Sequence, residues 1–191
     1  MTVRARRRLA PRNWHRLIRK ELLTIRKAEL RDVLELHQLI NHYAAERVML
    51  PRTLADLYEH VEEFTVAEEN GKLLGCGALK FYSREIAEVR SLCVEARLKS
   101  NGVGKKIAQS LLADAERSGL KTVFALTVAP AFFGKLGFRE VPRDNFPTKV
   151  RLDCLRCELY ATCNEKAVAL ELVPRQTPEM EYACETAGMS S

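Results

Sequence analysis

The apolar residues of the chain follow two different spacings, and each spacing predicts one kind of element. Apolar positions three or four apart mark one face of a helix. They predict helices over 31–43, 52–63, 102–118 and 131–136. Shorter runs, alternating or continuously apolar, are typical of strands. They predict strands over 22–27, 64–68, 72–82, 86–94, 122–128, 138–141 and 166–172.

Local signals refine these elements and their order. Asn70-Gly71 lies between two apolar runs and predicts a two-residue hairpin turn. Thr53 is a predicted helix N-cap, and Gly119 is a predicted helix end. The segment 142–165 is rich in proline and charge, so we predict a loop there. A hairpin-rich first half followed by alternating strands and helices indicates an α/β (α+β) fold of packed layers.

The positive charge of the chain is concentrated at its N-terminus. The net charge is +6, yet residues 1–20 hold eight Lys or Arg and no acid, whereas the other residues hold 23 bases and 25 acids. We therefore divide the 191 residues into a basic arm (1–21), one folded domain (22–173) and a tail (174–191). The arm is interpreted as a flexible extension, with docking to an anionic surface or a transit peptide as alternatives. A nearly neutral body does not favour nucleic-acid binding.

The pattern of charges and cysteines excludes several classes of protein. The longest stretch without a charged residue has 13 residues (122–134), whereas a membrane span needs about 20. We expect a cytoplasmic protein without disulfides, since the start of the chain lacks the long apolar core of a secretory signal. Cys154, Cys157 and Cys163 are spaced C-x2-C-x5-C, but zinc prefers four ligands, and the fourth would have to come from Cys184 or a partner chain. We expect no metal, and interpret these cysteines as packing or redox-sensing residues.

A glycine-containing segment joins the strand 86–94 to the helix 102–118. Glycine lets a ligand come close to the backbone, and the free N–H groups at a helix start attract anions. The pattern predicts a phosphate or pyrophosphate site, with a plain turn as the alternative. Its residues are Lys99, Ser100, Asn101, Gly102, Val103, Gly104 and Lys105.

This segment resembles the motif of a known family. K-S-N-G-V-G is similar to the [RQ]-x-x-G-x-[GA] pyrophosphate loop of the GNAT acetyltransferase superfamily, with Lys99 in place of the usual Arg or Gln. Segments 25–33 and 132–138 resemble other parts of that fold. The resemblance implies the GNAT fold, a central mixed, mostly antiparallel sheet flanked by helices, with acetyl-CoA as co-substrate. It also implies that the pantetheine arm and the thioester oxygen are bound by the backbone of Leu92, Cys93 and Val94.

Several blocks, in the same order, resemble the short, stand-alone N-acetylglutamate synthases of bacterial arginine biosynthesis. They are M-L-P-R-T (49–53), A-E-V-R-S-L (87–92), F-A-L-T (124–127), F-P-T-K-V (146–150) and D-C-L-R-C (153–157). This resemblance implies transfer of acetyl from acetyl-CoA to the α-amine of L-glutamate. Another small acceptor such as glutamine, and a non-catalytic module that binds acetyl-CoA, stay open as alternatives. The oligomeric state also stays open, a homodimer included.

A dicarboxylate acceptor requires cations, because charge-assisted hydrogen bonds hold carboxylates best. The implied acceptor pocket is surrounded by three segments of the chain. Their candidate substrate-binding residues are Arg52, Arg90, Ser91, Lys149 and Arg151.

The acceptor amine must also lose a proton. Glu88 is the candidate catalytic base, since it lies two residues from Arg90 on one strand and both side chains share a face. A plain ion pair between Glu88 and Arg90 is the alternative. Phe133 stands where many GNAT enzymes have a tyrosine acid, so the general acid is not assigned, with water and Tyr82 as candidates.

Overall fold

The computed structural model of the protein describes residues 23–99 and 101–172. The predicted arm (1–21) and tail (174–191) lie outside the described residues, and so does Ser100 of the predicted phosphate loop. In the described part of the chain, seven strands form one sheet. The strands are β1 (Thr24–Lys27), β2 (Phe64–Glu69), β3 (Lys72–Phe81), β4 (Ile86–Val94), β5 (Thr122–Thr127), β6 (Arg139–Glu140) and β7 (Lys166–Glu171).

Five α-helices accompany this sheet within the described ranges. None of them is long and apolar enough to cross a membrane. They are α1 (Val33–Ala45), α2 (Leu54–Glu59), α3 (Val103–Arg117), α4 (Pro130–Gly134) and α5 (Pro147–Leu152).

The sheet is mixed and mostly antiparallel, as the resemblance to the GNAT fold implied. The strand order is β1-β2-β3-β4-β5-β7-β6, and the pair β4–β5 is parallel. The predicted turn between β2 and β3 is confirmed, because Asn70 and Gly71 have φ values of 55° and 77°. A two-residue hairpin turn with both central residues left-handed matches the twist of the strands.

Helices cover both faces of the sheet. The apolar stripe of α1 packs on one face and that of α3 packs on the other. Successive side chains of a strand point to opposite faces. In β4, Ala87 and Val89 belong to the core under α3. Glu88 and Arg90 are therefore turned to the face that carries α1.

β4 is irregular at its centre and pairs with β5 over only part of its length. Residues 90–93 of β4 face the shorter stretch 76–78 of β3, so β4 contains a bulge. Ser91, inside the bulge, has φ 52°, which is uncommon for a residue other than glycine. Pairing with β5 covers residues 86–88. The backbone of 89–94 therefore has no ladder partner in β5, and the sheet opens between these two strands.

The prediction of a loop over 142–165 is wrong, because this segment contains α5 and several short 3-10 turns. Pro147 lies in the first turn of α5, where the N–H that proline lacks would have no helical partner. Lys149 and Asp153 form an ion pair four residues apart, which supports the helix. Proline and charge therefore mark a helix start and a helix face here rather than a loop.

The predicted helix over 52–63 is shorter in the structure. Its predicted N-cap is confirmed, since the Thr53 hydroxyl accepts a hydrogen bond from the Asp56 N–H at 3.1 Å. The helix ends at Glu59, and a 3-10 turn follows over Val61–Glu63. His60 Nδ1 lies 2.9 Å from the Asp56 carbonyl oxygen. The imidazole thus provides a polar partner for the open helix end.

Candidate functional site

The predicted phosphate loop leads directly into α3. Gly102 has φ +79°, a conformation that a side chain would strain, and its carbonyl accepts the first helical bond from the Lys106 N–H. The N–H groups of residues 103–105 have no acceptor inside the helix, because a helix leaves its first N–H groups unpaired. With the positive end of the helix dipole, this arrangement suits a phosphate. Lys105 is exposed beside it.

The loop borders the open part of the sheet. A Cβ built on Gly104 would lie 3.7 Å from Val94 Cγ1 and 3.8 Å from the Phe132 ring. Gly104 therefore sits between the end of β4 and α4. The free N–H groups of α3 and the edge of β4 that has no partner in β5 consequently adjoin, and we call this area the backbone-lined cleft. A coenzyme A site there stays a prediction.

Two residues in this region have their side chains occupied elsewhere. The Cys93 thiol faces the Cys76 thiol, with 3.6 Å between the sulfur atoms. The Lys99 ammonium lies 4.9 Å from the centre of the Tyr43 ring, in a cation–π contact. The role predicted for Cys93 uses its backbone and is compatible with this packing. The Lys99 side chain would have to leave Tyr43 to reach a phosphate.

Two arginines lie together on the α1 face of the sheet. The Arg52 guanidinium contacts the Asp56 carboxylate at 2.9 Å, and the Arg90 guanidinium contacts Glu63 at 2.9 Å. Their side chains are 13% and 14% exposed. Burial, and then the charge of Arg90, lower the pKa of Arg52. The charge of Arg90 thus acts on Arg52, and the carboxylates of Asp56 and Glu63 oppose this repulsion.

Each of these guanidiniums also keeps a buried N–H without a partner. Arg52 Nη2 and Arg90 Nε make no hydrogen bond to any described residue. Asn41 fixes the position of Arg52 from α1, because its side-chain amide bonds both the N–H and the carbonyl of the Arg52 backbone. A positioned pair of guanidiniums with free donors can bind a carboxylate.

A second cluster surrounds Glu88, whose side chain is almost fully buried. Glu88 Oε1 accepts from Lys149 Nζ at 3.0 Å, and Oε2 accepts from the Tyr82 hydroxyl at 3.0 Å. The same Tyr82 hydroxyl is 2.7 Å from Asp153 Oδ2, and Lys149 Nζ is 3.0 Å from that oxygen. Lys80 reaches Asp153 at 3.4 Å. The alternative that Glu88 pairs with Arg90 is thus not what the structure has, because their partners are Lys149 and Glu63.

The sheet and α5 together hold this cluster. The Phe146 ring stacks on Phe124 of β5, with 3.9 Å between ring centres and 9° between ring planes. This contact fixes the start of α5 against the sheet. Lys149 and Asp153 then project from one face of the segment, because they are four residues apart. They meet Glu88 of β4 on the α1 face.

Mutual contacts set the ionisation of the cluster. Burial alone would lower the pKa of Lys149, but the carboxylates of Glu88 and Asp153 outweigh it and raise that pKa. Burial alone would raise the pKa of Asp153, but the hydrogen bond from Tyr82 and the charge of Lys149 lower it to about 2. Burial, followed by the charge of Glu88, raises the pKa of Tyr82 far above its usual value. At neutral pH Lys149 and Asp153 are therefore charged and Tyr82 is a neutral phenol.

The structure brings most predicted acceptor-site residues to one face of the sheet. Arg52, Arg90 and Lys149 lie there with Glu88, whereas Arg151 is exposed and takes part in none of the polar contacts of either cluster. Ser91 lies in the β4 bulge. Their roles toward substrates stay predictions.

Sequence reasoning missed Asp153 and Lys80. The available signal was the spacing of Lys149 and Asp153, which places both on one side of a helical turn. The prolines and charges of 142–165 favour a loop over a helix, and a loop prediction gives this spacing no meaning. Lys80 is directly opposite Glu88 in the β3–β4 register, a cross-strand neighbour that the hairpin could have indicated.

Phe133 belongs to the core on the α3 side, where its ring packs edge-on against Phe138 at 5.1 Å. It has no polar atom to offer a substrate.

Among the described cysteines, Cys163 accepts a hydrogen bond from the Arg143 guanidinium through its sulfur, at 3.2 Å. No group of three potential metal ligands forms in the described part of the chain, and Cys184 lies outside it.

Comparison with protein sequences connects the chain to known acetyltransferases. The model of the acetyltransferase (GNAT) family matches residues 30–138. An uncharacterised N-acetyltransferase of Chlorobaculum tepidum is 33% identical over 148 residues, covering 78% of this chain and 96% of that protein. An amino-acid acetyltransferase of Mycobacterium tuberculosis is 38% identical over 120 residues, covering 61% of this chain and 68% of that protein.

Comparison with solved structures also finds similarity to proteins that bind coenzyme A. A Mycobacterium tuberculosis protein in complex with CoA has a TM-score of 0.68 at 31% identity, covering 78% of this chain and 99% of that one. N-acetylglutamate synthase from Neisseria gonorrhoeae, complexed with coenzyme A and N-acetyl-glutamate, has a TM-score of 0.72 at 25% identity. The match covers 81% of this chain and 36% of the synthase, so this chain corresponds to about a third of that protein.

Proposed function

The chain belongs to the GNAT family of acetyltransferases, and from this premise we propose that it transfers acetyl from acetyl-CoA to the α-amine of L-glutamate. The observation that carries the proposal is the pair of buried guanidiniums, Arg52 and Arg90, each with an unpartnered N–H. A carboxylate that reached both donors would give each of them a hydrogen-bond partner. An acceptor with carboxylates is favoured over a lysine side chain, whose cation these arginines would repel.

The second cluster offers two further cations to an acceptor that carries two carboxylates. Lys149 and Lys80 both pair with Asp153. The side-chain carboxylate of glutamate would replace Asp153 as the partner of one of these lysines. The amino-acid acetyltransferases among the similar proteins support an amino-acid acceptor, and the similarity to an N-acetylglutamate synthase supports glutamate. The product would enter arginine biosynthesis, and we place the reaction in the cytoplasm.

Coenzyme A would be held by the backbone-lined cleft. The N–H groups at the start of α3 would bind the pyrophosphate. The backbone of residues 92–94, which has no partner in β5 but whose Val94 carbonyl accepts from the Tyr43 hydroxyl at 2.6 Å, would bind the pantetheine amides. When bound, acetyl-CoA supplies a thioester carbonyl carbon for the amine to attack. Glu88 would then take the amine proton, directly or through a water molecule, the role that its position on β4 next to Arg90 predicts.

The test is an acetyl-CoA consumption assay across the common free amino acids. We expect glutamate to give the highest kcat/KM, with glutamine as the informative competitor because it differs in a single charge. A preference for glutamine would keep the amino-acid acetyltransferase and reject the dicarboxylate acceptor. Coenzyme A binding without turnover of any amino acid would reject the proposal in favour of a binding module.

A further inference from the structure

Glu88 has no direct route to water for a proton that it accepts. Its side chain is 3% exposed, and both of its oxygens are in contact with neighbouring side chains. A base must lose its proton again before the next turnover. The route by which the proton leaves is therefore part of the reaction.

The Tyr82 hydroxyl bridges Glu88 to a carboxylate nearer the surface. Its oxygen lies 3.0 Å from Glu88 Oε2 and 2.7 Å from Asp153 Oδ2. A hydroxyl has one proton to donate and lone pairs that accept, so it can receive a proton from one carboxyl while giving its own to the other. The Asp153 side chain is 24% exposed and can exchange with water. We propose that Tyr82 and Asp153 form a relay that carries the amine proton from Glu88 to solvent, an inference that rests on the proposed function.

The proton balance of the reaction shows that one proton per turnover must leave the site for solvent. Transfer of acetyl from a thioester to an ammonium group gives an amide, a thiol and one free proton. The nitrogen loses two protons, of which one goes to the thiol sulfur and the other to Glu88. In the relay, the Glu88 O–H bond breaks as a bond to the Tyr82 oxygen forms, and the phenol proton moves to Asp153 Oδ2. Asp153 then releases its proton to water, and both carboxylates are ionised again.

The ionisation of Tyr82 and Asp153 is compatible with the last two steps, the transfer through the phenol and the release to water. Burial and the charge of Glu88 raise the pKa of Tyr82, so the phenol stays protonated and able to both donate and accept. The low pKa of Asp153, about 2, means that a proton arriving there is lost to water at neutral pH.

Lys149 places the same positive charge next to both carboxylates of the relay, Glu88 and Asp153. Its ammonium is 3.0 Å from Glu88 Oε1 and 3.0 Å from Asp153 Oδ2, so it stabilises whichever carboxylate is ionised while the proton is on the other. A proton can thus move between them without losing the neighbouring positive charge. The other charged or titratable groups around the relay are Lys80, Arg52, Glu165 and Cys154.

The test is Tyr82→Phe, which keeps the ring that packs against Phe124 and removes the hydroxyl. The first turnover precedes any need to clear a proton from Glu88, so the variant should complete it at nearly the rate of the wild type. Later turnovers should be slower, giving a burst of one product per site and a kcat lower by about a hundredfold, since a positioned proton transfer contributes on that order. Imidazole, a small proton carrier, should restore the steady rate as its concentration rises. Tyr160→Phe, at an exposed tyrosine of the same region, is the control expected to match the wild type.

Asp153 gives a second test. Asp153→Asn should show the same burst and the same response to imidazole, and Asp153→Glu should recover most of the steady rate. An unchanged kcat in Tyr82→Phe, or a lower kcat without a burst and without an imidazole response, would overturn the relay while leaving the acetyltransferase in place. A wild-type protein that acetylates no amino acid would instead overturn the proposed function, and the relay with it.

Discussion

The cleft at the start of α3 and the charged clusters on the α1 face are built from different parts of the chain. The cleft offers backbone N–H groups from the start of α3, with the Lys105 side chain exposed beside them. The charged clusters consist of side chains from β3, β4, α2, α5 and the turns next to them, all brought together by folding. The first is therefore determined by local conformation, and the second by packing.

The two regions should consequently respond differently to substitution. Removing a polar side chain from the charged clusters should impair the chemistry or the acceptor while leaving coenzyme A affinity intact. Adding a side chain to the cleft should do the opposite. Substitutions in each region test this separation, and the largest effect is expected in the charged clusters.

Glu88→Gln should cause the largest loss of rate. The amide keeps the size of the side chain but cannot accept the amine proton, so kcat should fall by about 10²–10⁴-fold. The residual rate should climb as the pH rises, because the free amine then accumulates without a base. Steady-state kinetics from pH 6 to 10, together with a calorimetric acetyl-CoA titration, would measure both effects. A pH profile equal in shape and height to that of the wild type would contradict the role of Glu88 as base.

The cleft was more accessible to sequence analysis than the charged clusters were. The glycine loop is one run of residues, so spacing alone located it, and the strand 86–94 and the hairpin turn were located in the same way. Arg52, Arg90 and Lys149 were found as isolated cations, but their partners were not. Glu63 pairs with Arg90 across 27 positions, and Tyr82 meets Asp153 across 71. Contacts over such separations depend on how the sheet and α5 pack, which no local pattern encodes.

Arg90→Ala should affect the acceptor and spare the coenzyme. Losing a charge-assisted hydrogen bond costs about 1.5–3 kcal/mol, so the KM for glutamate should rise roughly ten- to a hundredfold. Glu63→Gln is the matched control, because it breaks the same ion pair and keeps the guanidinium. Initial rates with each substrate varied would separate the two KM values. Equal damage to both substrates would show that Arg90 supports the fold rather than the acceptor.

Gly104→Val should affect the coenzyme and spare the fold. A Cβ at this position would make only ordinary contacts, so the variant should fold, but its branched side chain would enter the cleft. We expect acetyl-CoA affinity to fall by about tenfold, the equivalent of about 1.4 kcal/mol. Gly104→Ala is the control. It should keep its affinity and, since alanine is the better helix former, gain roughly 0.5–1 kcal/mol of stability. Calorimetry on both variants measures this, and unchanged affinity in a folded Gly104→Val protein would mean that the phosphate site lies elsewhere.

The smallest expected effect is on the free energy of unfolding at low pH, and it comes from Asp153 in the charged clusters. The pKa of Asp153 is lowered in the folded protein to about 2 from an ordinary value of 3.8. The ionised carboxylate therefore stabilises the fold above its unfolded pKa, and this contribution is lost as the pH falls through the folded pKa. Since the side chain is partly exposed, we expect about 1–2 kcal/mol. Urea unfolding of Asp153→Asn should show this deficit at pH 7, and the deficit should shrink progressively between about pH 4 and pH 2. Asp144→Asn, at an exposed acid of the same region, should show no such trend. A deficit of constant size across this range would mean that Asp153 acts through packing rather than through its charge.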